Sequence, residues 1–414
     1  MSQRVILAGL VITDTTRPAL PDAALVIEDG RLAQIGPRAK VKWSPKAQIM
    51  DLSGYTLLPG LWNAHVHLSL AHPFPEYKTD VEPVPYLTAR IYRRALEALQ
   101  AGFTSLRLVG EPKHVDLQLK KAINRGLLPG PHLFGAGETV IPTGGHGHNS
   151  VGSREADGMD GFAQAARLQL RAGADLVKLC ISGGLAGPHE GIADSQATVA
   201  EIAAAVDVTH RANKHVAVHA SAPGPIRDAL TAGVDCIEHA YILDEDTAVM
   251  MAARGAHLCP TLLVTNCGDY LERHGAPRWQ LEKQKEAAVS HREAFRLALS
   301  HDVPMLAGTD LLPTDRVDDT WAGIREIELM VEYGMTPAAA LAAATVNPAR
   351  LCGAFEHTGS LEEGKYADLV ALPKDPRDDI GALRHIELVM KGGRVIRSEV
   401  DGHRHASLLD ACHG

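Results

Sequence analysis

The chain has 414 residues, of which 45% are hydrophobic and 22% charged, and its formal net charge is −9. This composition is typical of a folded globular protein and excludes disordered, collagen-like and low-complexity architectures. The negative charge argues against nucleic acid or an anionic membrane as the main partner, and no stretch reaches the roughly 18 apolar residues of a membrane helix. Six cysteines without a CxxC pair do not indicate a disulfide framework, so we expect a cytoplasmic protein. The 21 histidines make metal chemistry the first possibility, because imidazole is a metal ligand and a proton carrier.

Both ends of the chain predict short β-strands. Apolar runs at residues 5–7 near the start and 368–372 near the end are followed or preceded by turn signals. We therefore predict one small β-sandwich built from both termini. Its two parts are residues 1–57 and 353–401, and residues 402–414 form a tail.

Residues 58–352 alternate apolar runs with segments of helical periodicity, and several of these segments end at an Ala-Gly pair. A glycine just after a helix, followed by a strand, is a common α/β pattern. The eight predicted strands are residues 58–66, 105–109, 132–136, 176–181, 216–219, 236–239, 257–262 and 304–307. This pattern predicts an α/β fold, a (β/α)8 TIM barrel. A doubly wound sheet is the alternative, and the lack of a GxGxxG motif after the first strand disfavours it.

The ends of the predicted strands carry residue types that bind metals. His65 and His67 are two residues apart at the end of the first strand, so both face the same side. His219, His239 and Asp310 end the fifth, sixth and eighth strands. Because barrel active sites lie at the carboxyl ends of the strands, we predict that these side chains meet in one metal site.

Lys178 interrupts the apolar strand at residues 176–181. A buried ammonium group is costly unless it is paired or neutralised. If Lys178 faces inward beside two metal ions, carbon dioxide can convert it to a carbamate, N6-carboxylysine, that bridges them. The alternative is an outward-facing lysine whose ammonium group reaches solvent.

Together these residues resemble the amidohydrolase superfamily with a binuclear metal centre. The resemblance covers nearly the whole chain, through LPGLWNAHVH at 58–67, TVNPAR at 345–350 and GSLEEGKYADLV at 359–370. KLCISGG at 178–184 and TGGH at 143–146 resemble the prolidase-like group, which includes Xaa-Pro and Xaa-Arg dipeptidases. The imidazolonepropionase-related enzymes are also similar.

The resemblance implies a (β/α)8 hydrolase with two divalent metal ions, and the ligand types favour Zn²⁺. The implied ligands are His65, His67, carboxylated Lys178, His219, His239 and Asp310. The implied reaction is hydrolysis of an amide-type C–N bond by a metal-bridging hydroxide, with Asp310 as general base and then general acid. His146 is the implied contact of the scissile carbonyl, and Tyr241 is a second candidate for substrate binding. A homo-oligomer acting on a small molecule is expected.

The substrate is left open between dipeptides, N-acyl amino acids, arylamides, carbamates and ureas. Two departures from the dipeptidase pattern bear on it: Leu108 follows Arg107 where many relatives have Asp, and no tyrosine closely follows Pro260-Thr261. We expect the loops after the strands to form the pocket, at residues 68–84, 139–160, 183–197 and 263–280. Further candidates for substrate contacts are His148, Arg154 and His189.

Two other functions are compatible with the same fold. One is a mononuclear deaminase or cyclic-amide hydrolase of the imidazolonepropionase type, which would hold one ion and leave Lys178 unmodified. The other is a non-catalytic metal-binding protein, which the complete ligand set disfavours.

Overall fold

The computed structural model describes residues 3–70, 82–148 and 152–404. The strands are β1 (Arg4–Val11), β2 (Leu20–Glu28), β3 (Arg31–Pro37), β4 (Gln48–Pro59), β5 (Leu61–Val66), β6 (Phe103–Leu108), β7 (His132–Gly135), β8 (Thr139–Ile141), β9 (Ser153–Glu155), β10 (Leu176–Cys180), β11 (His215–Ala220), β12 (Cys236–His239), β13 (His257–Cys259), β14 (Arg316–Val317), β15 (Thr320–Trp321), β16 (Leu369–Leu372), β17 (Leu388–Lys391) and β18 (Arg394–Ser398). The helices are α1 (Val84–Gln100), α2 (Val115–Asn124), α3 (Gly158–Ala172), α4 (Val199–Arg211), α5 (Pro223–Ala232), α6 (Glu245–Arg254), α7 (Gly268–Arg273), α8 (Arg278–Ser300), α9 (Ala322–Glu332), α10 (Pro337–Ala343) and α11 (Val346–Leu351).

Strands from both ends of the chain form one seven-stranded sheet, in the order β18-β17-β16-β4-β1-β2-β3. Strand β16 runs antiparallel to β4, with Val370 opposite Leu58. The two ends therefore build one β unit, which is consistent with the predicted sandwich, although backbone pairing defines a single sheet. The unit also extends two residues past the predicted boundary at residue 57, because β4 runs to Pro59 before the chain enters β5.

The middle of the chain forms two parallel sheets. One has six strands in the order β13-β12-β11-β10-β8-β9, and the other has three in the order β5-β6-β7. The predicted strand at 304–307 lies between them: Leu306 N donates to Leu258 O at 2.8 Å, and Ala64 N donates to Ala307 O at 2.8 Å. This part of the prediction is confirmed as an α/β fold with parallel strands.

The backbone ladders do not run continuously around a ring. Strand β7 meets the start of β10 through one backbone hydrogen bond, from Asp175 N to Gly135 O at 2.8 Å, and no ladder joins the two sheets there within the described residues. A single buried cluster nevertheless takes one residue from each of the eight predicted strands. Its members are Ala64, Val109, Ala136, Leu176, Ala217, Cys236, Cys259 and Leu306. All eight predicted strands thus contribute one residue to this eight-residue core.

Several helices end at the glycines predicted from the sequence. Gly173, Gly233 and Gly255 end α3, α5 and α6 with φ of 103°, 91° and 63°, a left-handed conformation that favours glycine. Helix α4 begins with a capping box, in which Thr198 Oγ1 accepts from Glu201 N at 3.3 Å and Glu201 Oε2 accepts from Thr198 N at 2.8 Å. Among the residues that the structure covers, no helix has the length and apolar character needed to cross a membrane.

Candidate metal centre

The predicted metal ligands of the first and eighth strands meet at the carboxyl ends of the parallel strands. His65 Nε2 lies 3.2 Å, and His67 Nε2 3.4 Å, from Asp310 Oδ1. The potential ligand atoms of His65, His239 and Asp310 all lie within 4.8 Å of one another. This triplet is close enough to share one ion, and His67 borders it.

His219 and Lys178 complete the cluster on the neighbouring strands. The His219 ring lies 4.5 Å from the His239 ring, centroid to centroid. Lys178 is two residues after Leu176, a member of the eight-residue core. Because side chains alternate between the two faces of a strand, Lys178 faces the same side as Leu176. It is only 2% exposed, which argues against a side chain that faces outward into solvent. Within the described part of the chain, no hydrogen bond or ion pair to this ammonium group is found.

Irregular backbone conformations set the direction of several of these side chains. The pairing of β5 with β6 shifts register between Asn63 and Val66, and this irregularity spans His65. His239 and Asp310 have φ of 77° and 53°, in the left-handed region that non-glycine residues rarely adopt. Such conformations are costly and concentrate at functional sites. They reorient residues that simple strand alternation would place differently.

Hydrogen bonds fix which nitrogen of each imidazole faces the centre. His67 Nδ1 lies 2.8 Å from Gly110 O, and His239 Nδ1 lies 2.7 Å from Thr261 Oγ1. The Thr261 hydroxyl donates to the carbonyl of the preceding residue at 2.6 Å, so it accepts from His239. Both rings therefore carry a proton on Nδ1 and present the Nε2 lone pair to the centre, as a metal ligand must.

His219 uses the opposite nitrogen. Its Nε2 lies 3.1 Å from Gly183 O, which can only accept a hydrogen bond, so Nδ1 is the nitrogen left free. His65 is held through Nδ1, 2.7 Å from Glu238 Oε2. The donor set is thus four oriented imidazoles, the Asp310 carboxylate and a buried lysine. This set fits divalent metal ions of the zinc type.

Burial keeps the ring nitrogens neutral. It lowers the pKa of His67 to about 4, and the nearby Lys178 acts in the same direction. Burial also lowers the pKa of His219 and His239 far below the usual range. Neutral imidazole is the form that coordinates a metal.

Asp310 behaves in the opposite way. Burial raises the pKa of its carboxyl group, but interactions with His65, His67 and Lys178, including a hydrogen bond with His65, lower it more, so the net pKa is below the usual range. Asp310 is therefore an ionised carboxylate near neutral pH, able to bind a cation or accept a proton.

Two buried charged residues lie beneath the centre and had no role predicted from the sequence. Arg107 and Glu238 are both 0% exposed and form an ion pair of 2.6 Å. Burial raises the pKa of Glu238, but Arg107 and His65 lower it more, so the pKa lies well below the usual range. The sequence feature that drew attention to Lys178 also applies to these two residues. Each interrupts an apolar strand, and each is two residues from a member of the eight-residue core.

His146 lies beside the centre, on the loop after β8. Its ring stacks on His219 with centroids 4.2 Å apart. Its Nδ1 hydrogen-bonds to Glu190, and its backbone N donates to Gln196 Oε1 at 2.8 Å, so the loop 183–197 orients it. Glu190 was also missed, because only the tertiary structure brings it to His146.

Tyr241 packs directly against the centre. Its ring stacks on His239 with centroids 5.2 Å apart and meets His291 edge-on at 5.0 Å. It is 2% exposed, and burial raises the pKa of its hydroxyl well above the usual range. Tyr241 is therefore a neutral phenol beside the ligands. Tyr270, by contrast, donates to Asp315 Oδ2 at 2.6 Å.

The other candidate substrate contacts differ in their exposure and in the partners they already have. Arg154 is paired with Glu138, at 2.9 Å from Nε and 2.8 Å from Nη2 to Oε2, so its charge is already neutralised. His189 is exposed. His148 Nδ1 lies 3.1 Å from Gly145 O. The predicted pocket residues at 71–81 and 149–151 lie outside the described residues.

The turn that follows the HxH pair is held on both sides. The buried carboxylate of Glu111 accepts from the backbone N of Leu68 and, at 3.1 Å, from that of Ser69. Arg94 donates to Leu68 O at 2.6 Å, and Arg90 donates to Ser69 O at 2.8 Å. Burial raises the pKa of Glu111 to about 8. These contacts fix the exit of the strand that carries two ligands.

The chain is similar in sequence and in overall structure to several known proteins. The sequence profile of the Amidohydrolase family matches residues 56–404. Ochratoxinase of Aspergillus niger is 30% identical over an alignment of 428 positions, which covers 95% of this chain and 86% of that protein. Its crystal structure superposes with a TM-score of 0.84 at 27% identity, covering 96% of each chain. A Xaa-Pro dipeptidase with methionine bound in its active site superposes with a TM-score of 0.85 at 28% identity, covering 95% of this chain and 99% of that one.

Proposed function

The chain belongs to the amidohydrolase family, a hydrolase family acting on C–N bonds, and from this premise we propose that it is a metal-dependent hydrolase of an amide bond in a small molecule. Dipeptides and N-acyl amino acids come first, since a Xaa-Pro dipeptidase is among its structural neighbours. Arylamides, carbamates and ureas follow. We also propose that the eight strands form a complete (β/α)8 barrel and that the chain acts as a homo-oligomer.

One observation supports the proposal most strongly: ligand-type atoms converge around an inward-facing lysine that has no hydrogen-bond or ion-pair partner among the described residues. Uncharged, this lysine could be tolerated at 2% exposure, but as a cation it would need compensation. Carboxylation would turn it into an anion that joins the imidazoles of His219 and His239 on one side and of His65 and His67 on the other. We propose that it is N6-carboxylysine and that, with the four imidazoles and Asp310, it would hold two divalent ions, most suitably Zn²⁺.

Bound divalent ions would supply Lewis acidity, polarising the substrate carbonyl and lowering the pKa of water. The chain supplies the remaining steps. The Asp310 carboxylate accepts the proton of the attacking water and returns it to the leaving nitrogen. The imidazole of His146, held by Glu190 through Nδ1, donates a hydrogen bond to the carbonyl oxygen as that oxygen gains negative charge. Tyr241 contributes an apolar ring and a neutral hydroxyl to the substrate pocket.

The test is a substrate panel with the zinc-loaded protein, prepared in bicarbonate buffer. It contains Xaa-Pro and other dipeptides, N-acyl amino acids including an ochratoxin, arylamides, aryl carbamates and phenylureas. We expect hydrolysis in at least one amide class, together with two zinc ions per chain. Lys178→Ala is expected to lose both. Full turnover by Lys178→Ala, or no hydrolysis by a protein that holds two ions, would contradict the proposal.

The triplet His65, His239 and Asp310 also supports a second candidate, because it suffices for one ion. A mononuclear deaminase or cyclic-amide hydrolase would bind one zinc per chain and keep Lys178 unmodified. Native mass spectrometry separates the two: the first function predicts two metals and the added mass of one carbon dioxide, and the second predicts one metal and no added mass.

A further inference from the structure

The ion pair of Arg107 and Glu238 crosses the interior beneath the candidate metal centre. Arg107 is on β6 and Glu238 on β12, and both are 0% exposed. Arg107 Nη2 donates to Glu238 Oε1 at 2.6 Å, and Arg107 Nε donates to Ala64 O at 2.5 Å. The guanidinium group therefore holds both the carboxylate and the backbone just before His65.

The second carboxylate oxygen reaches the ligand itself. Glu238 Oε2 lies 2.7 Å from His65 Nδ1, while His65 Nε2 lies on the opposite side of the ring, 3.2 Å from Asp310 Oδ1. A carboxylate paired with a guanidinium accepts hydrogen bonds and does not donate them. His65 must then carry its proton on Nδ1, which leaves the lone pair on Nε2.

Another interpretation of these groups is a second metal site, since atoms of His65, Glu238 and Cys259 also lie within 4.8 Å of one another. The groups around Glu238 argue against a second metal site. Glu238 Oε1 already accepts from Arg107, and the thiol of Cys236 is 3.1 Å away. A metal ion there would lie beside a buried guanidinium with no other described anion in contact, so the pair acts on the imidazole and does not bind an ion.

We propose that Arg107 and Glu238 form a tautomer lock, a pair that fixes the Nδ1–H form of His65 and so keeps its Nε2 available to the metal. Both are positioning residues. The inference rests on the proposed function in one respect, that His65 is a metal ligand. His67 and His239 are fixed by neutral acceptors, whereas His65 is fixed by a charge, which also increases the electron-donating strength of the imidazole.

Arg107 makes a single substitution unusually informative. In Glu238→Gln the amide oxygen must face Arg107, because the guanidinium can only donate. The amide NH₂ is then directed at His65 Nδ1, which has to accept, so the proton moves to Nε2 and blocks the lone pair. We expect the zinc affinity to fall by about 10- to 100-fold, measured by competition with a chromophoric chelator and by metal analysis.

The double variant Arg107→Met/Glu238→Gln separates the lock from a packing role. Without the guanidinium the amide can rotate and present its oxygen to His65 Nδ1. Zinc affinity is therefore expected to recover to within a few-fold of the wild type. If the pair serves packing alone, the double variant binds zinc no better than the single one.

Two further variants cover folding and specificity. If Glu238→Gln does not fold, the double variant Arg107→Met/Glu238→Gln is compared with Arg107→Met/Glu238→Leu. Neither double variant keeps a charge at positions 107 and 238, and only the first offers His65 a hydrogen-bond acceptor. Glu328→Gln is the matched control, since Glu328 is buried and paired with Arg384 at 2.6 and 2.7 Å, outside the centre. It is expected to bind zinc like the wild type.

Each outcome decides a different claim. Wild-type affinity in Glu238→Gln, or equal affinity in the two charge-free doubles, overturns the tautomer lock and leaves the proposed function intact. A wild-type protein that binds no divalent ion overturns the proposed function and the lock with it. Weak binding in the single variant with recovery in the Gln double variant supports the lock.

Discussion

The strand-end centre and the loops beside it are built in different ways. In the centre, His65 and Lys178 are 1% and 2% exposed, and they sit on strands. In the loops, His146 and Glu190 each keep 13% of the side chain exposed and hold each other by hydrogen bonding. This difference fits the proposed division of tasks, in which the strands would hold the metal and move the proton and the loops would position the substrate. Variants can break or sharpen that division.

The largest effect is expected from Asp310→Asn in the centre. The amide cannot accept a proton near neutral pH, so the turnover number should fall by about 10³-fold or more while the fold is kept. Steady-state kinetics on the best panel substrate measure it. Asp207→Asn, at an exposed position of α4, is the control and should match the wild type. Turnover within a few-fold of the wild type in Asp310→Asn would remove Asp310 from the proton-transfer role.

His146→Ala tests the loop side of the comparison. Loss of an oxyanion donor should lower the turnover number by about 10²-fold, and the zinc content should be unchanged because His146 is not assigned as a ligand. Arg154→Ala, which only breaks the pair with Glu138, should change the turnover number by less than about 2-fold. If His146→Ala lost its zinc, the loop would belong to the metal centre and the division would fail.

Gly308→Ala tests how tightly the centre is packed. A Cβ there would lie 2.5 Å from Cys259 Sγ and 2.6 Å from His65 N. We expect a loss of about 1–3 kcal/mol in the free energy of unfolding, with reduced zinc binding, measured by chemical denaturation and metal analysis. Gly224→Ala is the matched control, because its Cβ would meet nothing within 4 Å. Equal stability of the two variants would show that His65 has room to move.

A pH dependence of the free energy of unfolding is expected from a buried carboxyl group that supports the centre. Glu326 accepts from Leu262 N at 2.9 Å and Leu263 N at 2.8 Å, just after Thr261, and burial raises its pKa from 4.5 to about 8. Between these values the folded state keeps a proton that the unfolded state releases. Stability should therefore fall as pH rises through this window, by at most about 1.4 kcal/mol per pH unit.

Glu326→Gln stays uncharged, so its unfolding free energy relative to the wild type should increase from about pH 5 to about pH 8. Urea denaturation at several pH values measures the difference between the two proteins. Parallel pH profiles would show that Glu326 ionises freely in the folded state, and that its burial does not hold the proton.

Much of the centre could be predicted from the sequence because metal-ligand residue types end apolar strands. Parallel strands bring their carboxyl ends to one edge, so His65, His219, His239 and Asp310 could be expected to meet. Lys178 could be expected to face inward because it interrupts an apolar run. Strand alternation alone could not orient His239, whose left-handed backbone ends the alternation.

The partners of these ligands could not be predicted in the same way. Glu238 reaches Arg107 across 131 positions of the chain, and Glu190 reaches His146 across 44. No local pattern encodes such contacts, because they depend on which strands and loops face each other. The pairing of Arg154 with Glu138 is likewise a contact that the sequence did not indicate.

The sequence by itself determined the parallel α/β fold and the set of ligand types at the strand ends, because periodicity and strand termini are local properties, and its motifs indicated the family by resemblance. The tertiary structure decided which nitrogen of each imidazole is free, since that depends on acceptors from distant segments: Gly110 O for His67, Thr261 for His239 and Gly183 O for His219. Hydrogen bonds to a ring act over about 3 Å, so only a folded chain can assign them.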